Sequence, residues 1–103
     1  MISLTLKKLD RLKKQLEDLR RRVGNIRPRE MEKFAKACGR IQHKKRRGEP
    51  TWVSKYFPKL LRPLSIPHHS VELNRFTAEN ILDQLEMDLD AIEESLQARK
   101  RGG

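Results

Sequence analysis

With 103 residues, 36% of them hydrophobic and only 5% aromatic, the chain can bury one modest core of leucine and isoleucine, which excludes a two-domain or multilayer globule. Charged residues make up 37% and the formal net charge is +10, so a polyanion is the expected partner, because each neutralised phosphate releases a condensed counterion. Cys38 is the one cysteine, which excludes an intrachain disulfide; with no ligand-type neighbours in sequence it gives no zinc site, and a small core role is expected.

Lys7, Lys8 and Asp10 interrupt any apolar leader at the N-terminus, and no stretch has the length to span a bilayer, so a cytoplasmic protein without membrane contact is expected. Thr5, Leu9, Leu12, Leu16, Leu19 and Val23 follow alternating steps of four and three. They predict an amphipathic helix over residues 1–24, ended by Gly24 and Asn25. Pro28 and Glu30 open a second helix, with Met31, Phe34, Ala35 and Cys38 on one face and Gly39 as its stop.

The pattern then turns strand-like. Arg40–Lys44 and the β-branched, aromatic Thr51–Tyr56 form a candidate hairpin whose tip is Lys44-Lys45-Arg46-Arg47-Gly48. A third strand is expected over Arg62–Ile66, with Leu64 and Ile66 facing the core and Pro63 marking an edge or a start. Ala78, Leu82, Leu85, Leu89, Ile92 and Leu96 predict a final helix capped by Thr77 or Asn74, with Gly102 and Gly103 beyond its end; residues 99–103 form a basic tail.

Charge is unevenly placed along these elements. Residues 1–26 carry a net +5, residues 27–62 a net +9, and residues 76–98 hold seven acids and no lysine or arginine. The basic first helix and the acidic last one are therefore expected to pack along their leucine stripes, antiparallel within the chain, with a homodimer exchanging these helices as the competing arrangement.

The same asymmetry selects a candidate nucleic-acid surface. Lys44, Lys45, Arg46 and Arg47, with Lys55, are the expected phosphate contacts, surrounded by Arg27, Arg29, Lys33, Lys36, Arg40, Lys59 and Arg62. An isolated charge run is usually a solvated turn; this one is embedded in a basic segment. His68 and His69 follow Pro67, and neutral-range imidazoles serve acid–base chemistry, metal binding or a plain turn equally well. On a strand only one of the two would face a site. Trp52 is expected in the core, sharing a strand face with Tyr56, and the carboxylates of 79–94 read as a solvated or helix-partner face. No metal site and no cofactor are expected.

Residues 26–89 resemble the HicA toxin family, the small ribonuclease half of bacterial HicA/HicB toxin–antitoxin pairs. The likeness runs through Arg29-Glu30-Met31-Glu32-Lys33, Cys38-Gly39, the basic loop with Gly48, Leu64-Ser65-Ile66-Pro67-His68-His69, Glu72-Leu73, and Thr77 ahead of Ile81-Leu82-Asp83-Gln84-Leu85. Ile66–His69 and Thr77–Leu85 are its most specific parts; it covers about two thirds of the chain and leaves out the N-terminal helix. The resemblance implies an α+β fold, a dsRBD-like α-β-β-β-α core over residues 25–98. It also implies mRNA-cleaving endonuclease activity (an mRNA interferase) and a HicB-like antitoxin as partner. Members carry a catalytic histidine soon after the hairpin glycine, but here the run is Gly48-Glu49-Pro50, and proline has no proton to give or take. His69 matches the family's later histidine and is the remaining candidate for catalysis, with His68 beside it as a nucleic-acid contact. A non-catalytic nucleic-acid-binding or helix-mediated interaction module is the alternative reading.

Overall fold

The leucine stripes meet as expected. In the computed structural model, which describes residues 4–43, 50–67 and 72–102 (side chains to Arg99), α1 spans Leu6–Arg21 and α3 spans Arg75–Gly102. Leu9, Leu12, Leu16 and Leu19 of α1 are buried, as are Ala78, Leu82, Leu85, Leu89 and Ile92 of α3. Lys13 pairs with Glu93, whereas Arg20, seven residues later, reaches back to Asp83 and Glu86 at 2.9 and 3.0 Å. Rising numbers on α1 thus meet falling numbers on α3, and the two helices run antiparallel. Each buried leucine contributes about 1.5–3 kcal/mol, and each exposed pair about 0–1 kcal/mol, so the seam holds the helices and the charges select their pairing.

The ends of the helices follow local chemistry. Thr5 was expected to continue the α1 stripe; it is exposed and caps the helix, its Oγ1 accepting from the Lys8 N–H at 3.2 Å. The helix stops at Arg21, three residues before Gly24, with Arg22 as C-cap. At the start of α3 the cap is Asn74, whose Oδ1 accepts from the Phe76 N–H at 2.9 Å, while Thr77 lies inside the helix. At the other end α3 runs through Gly102, where the spacing had placed that glycine outside.

Between them, α2 covers Pro28–Ala37, with proline at its first turn and Pro28, Met31, Phe34 and Ala35 buried. Cys38 caps it and Gly39 follows at φ +96°, the left-handed conformation that ends a helix cheaply only for glycine. The strands β1 (Arg40–His43), β2 (Thr51–Ser54) and β3 (Leu64–Ser65) form an antiparallel sheet in the order β1-β2-β3. β2 and β3 are shorter than expected. In β2 the cause is visible: the Ser54 hydroxyl accepts from the Phe57 N–H at 3.0 Å, which turns the chain before Tyr56. Tyr56 therefore does not share a strand face with Trp52. Pro63 precedes β3, an edge strand, where a missing N–H costs least.

The register puts Arg40, Gln42, Trp52, Ser54 and Leu64 on one face, and all but Gln42 are buried. Ile41, His43 and Ser65 are exposed on the other. Leu73 donates its N–H to the Ile26 carbonyl at 2.7 Å, tying the entry to α3 onto the entry to α2. The protein is thus mixed α+β, with three helices and one three-stranded sheet among the described residues. Among the described residues no helix is long and apolar enough to cross a membrane.

Candidate nucleic-acid interface

The surface expected to hold phosphate is built around the turn from α2 into β1. The Gly39 N–H donates to the Lys36 carbonyl at 3.0 Å, and the Gly39 carbonyl accepts from the Lys55 N–H at 2.9 Å. One glycine thus fixes two lysine backbones beside each other. Lys55 lies with its ammonium 5.1 Å from the centre of the Tyr56 ring, and Lys36 lies 5.7 Å from that of Trp52. Both lysines are exposed, as are Lys59 and Arg62. The Tyr56 ring lies directly over Gly39, where any Cβ would strike its Cε2 and come within 2.7 Å of its Cδ2. From this platform β1 leads to His43, exposed at the point where the basic run begins.

Of the expected phosphate contacts and catalytic histidines, Lys55 is described, whereas Lys44, Lys45, Arg46, Arg47, His68 and His69 lie outside the described residues. Arg40 requires a correction. It was counted among the phosphate-facing cations, but its side chain is 1% exposed and engaged entirely inside the protein. Its Nε donates to Asp88 Oδ2 at 2.6 Å and its Nη2 to Asp88 Oδ1 at 2.7 Å, while Nη1 donates to the carbonyls of Trp52 and Arg62 at 3.1 and 2.7 Å. Asp88 is corrected with it: expected on a solvated helix face, it is 1% exposed. The sequence carried a faint signal for this, since Asp88 falls three residues after Leu85 and four before Ile92, on the seam side of the helix, whereas a solvated acid belongs on the far side. Trp52, by contrast, is fully buried as expected.

The ionisation states follow from these surroundings. Burial pushes the Asp88 carboxyl above its usual value, and the hydrogen bonds and charge of Arg40 offset this only in part. Burial, reinforced by the Asp88 charge, pushes the Cys38 thiol far up, so it is an inert core group. On α2 the Glu30 carboxylate is held below its usual value, first by its hydrogen bond from Arg22 at 3.0 Å. Arg20 is raised, burial being outweighed by Asp83 and Glu86.

Negative charge is therefore disposed of in a definite way. Asp83, Glu86 and Glu93 of α3 are taken up by α1, and Asp88 by Arg40. The cations of α2 and of the β2–β3 connection stay at the surface; Arg29, Lys33 and Lys36 succeed one another at helical steps on the exposed side of α2. Chemically, such a surface can attract phosphate through charge, with the Lys55 ammonium seated against the Tyr56 ring. Among the described residues no group of three or more His, Cys, Asp or Glu side chains is placed to hold a metal. Comparison with protein-family models, curated proteins and solved structures gave no match.

Proposed function

We propose that the protein binds RNA along the face formed by the β1–β2 hairpin and the end of α2. Lys36 and Lys55 lie on its rim and Lys44–Arg47 would continue it; His68 would add a contact. The observation that carries this reading is the engagement of Asp83, Glu86 and Glu93 of α3 by α1 and of Asp88 by Arg40, which keeps these four carboxylates occupied while Lys36, Lys55, Lys59 and Arg62 stay exposed. Phosphate contacts supply affinity, and the RNA preference reflects the HicA-like order of elements, α2-β1-β2-β3-α3, which suits a dsRBD-like core.

In the same reading the chain is a HicA-like toxin component, opposed by a HicB-like antitoxin and acting on mRNA. Its chemistry rests on His69, because Pro50 occupies the place of the usual histidine. Binding does not need that histidine; cleavage does.

Titrating a labelled RNA duplex with the purified chain over a salt series tests the binding. Affinity should fall with log salt at about 0.9 per phosphate contacted, and replacing Lys44–Arg47 and Lys55 with alanine should flatten that slope. Salt-independent affinity would sink the phosphate reading. Induced expression that neither arrests growth nor cleaves mRNA would leave a binding module in place of a toxin.

A further inference from the structure

The flank of α1 that faces away from α3 carries chemistry that nothing so far uses. Between α1 and the end of α2 lies a groove of about 620 Å³ with Leu4, Leu12 and Ala37 as its apolar lining and Lys8, Arg11 and Lys14 as its cations. It meets a second depression at Gln15 and Ala37, which line both, and that one continues to Arg22. From Lys8 to Arg22 the path is about 21 Å, or four helical turns. We infer that this groove docks an amphipathic helix of a partner protein, apolar toward Leu4 and Ala37 and acidic over Lys8, Arg11 and Lys14.

Three observations select that occupant. The opposite flank of α1 already holds a helix of this kind, because α3 sets a leucine stripe against α1 and gives its acids to Lys13 and Arg20. The cationic half of the groove has no acid in its lining. Its far half contains Asp18 and Glu30, both paired to Arg22. A phosphate chain following the groove would run onto those two carboxylates, whereas a helix can be acidic at one end and neutral at the other. The leucine and alanine floor also offers no exposed ring on which a base could stack.

The test uses the full chain and a fluorescein-labelled synthetic peptide of about 18 residues, with leucines at helical spacing and glutamates on both flanks. Fluorescence anisotropy should show saturable binding. The double substitution Arg11→Glu and Lys14→Glu should weaken it about tenfold, while Arg75→Glu, at the exposed start of α3 and outside the groove, should leave it unchanged. Far-UV circular dichroism checks that the variants keep their helices. Absence of saturable binding overturns the proposal. So does weakening by Lys13→Glu in place of the groove variant, which would mean that the peptide exchanges with α3. Displacement of the peptide by an oligouridylate, with RNA affinity falling in the groove variant, would instead make the groove a phosphate site. Loss of RNA binding on the hairpin-side alanine variants leaves this result untouched, so the two readings fail separately.

Discussion

Replacing Asp88 with alanine removes the one carboxylate that neutralises Arg40, whose guanidinium is 1% exposed and makes two hydrogen bonds to that carboxylate. The guanidinium cannot lose its proton, so a buried charge is left with only the carbonyls of Trp52 and Arg62. Breaking a buried pair in this way costs about 3–5 kcal/mol. For a domain of this size each kcal/mol lowers the melting temperature by about 4–8 °C, so a fall of more than about 12 °C is expected. The double variant Arg40→Met/Asp88→Leu removes both charges; the pair itself is then close to neutral or better, and the remaining loss is the Arg40 hydrogen bond to the buried Trp52 carbonyl, about 1–3 kcal/mol, with a smaller loss at the half-buried Arg62 carbonyl. It should therefore be more stable than Asp88→Ala alone. Thermal and urea unfolding, both followed by the fluorescence of Trp52, the sole tryptophan and fully buried, measure these. If Asp88→Ala costs under about 1 kcal/mol, or if the double variant loses as much as the two single changes summed, the pair is not the desolvated, coupled clamp described.

Gly39→Ala should destabilise by about 1–2 kcal/mol from left-handed backbone strain alone, and by more because its Cβ meets the Tyr56 ring; adding Tyr56→Ala should recover the steric part only, again read from urea midpoints. Along the α1–α3 seam, Leu85→Ala should cost about 2–5 kcal/mol, against about 1 kcal/mol or less for Lys13→Ala; equal losses would mean that charge, not burial, holds the helices. The Glu30 carboxylate is held below its usual value, chiefly by Arg22, so its contribution is present at neutral pH and lost as pH falls through its lowered value. Glu30→Gln should accordingly remove that part of the acid-side decline in stability, measured as the urea midpoint from neutral to acidic pH.

The sequence by itself determined the helices, their partner and the order of elements. Leucines at three- and four-residue steps define a buried stripe whatever lies opposite, and the basic and acidic stripes name each other. Gly39 and Pro28 were equally legible, since backbone conformation at a helix end is a local property. Strand lengths were not. The Ser54 hydroxyl competes with the ladder, and composition alone does not tell whether a serine bonds its own turn. The hairpin cations were visible as a charge run, and Lys55 stands at the surface as read.

Only the tertiary structure decided which charges are free. Arg40 and Asp88 are 48 residues apart and look like ordinary members of a basic and an acidic segment. Their burial arises because the fold brings the Arg40 side chain, at the start of β1, against Asp88 of α3 and the carbonyls of Trp52 and Arg62 together. A charge count cannot make that distinction, because desolvation depends on what packs around a group and not on its neighbours in the chain. The same holds for the two flanks of α1, whose lysines and arginines are alike in sequence until α3 covers one side and leaves the other open.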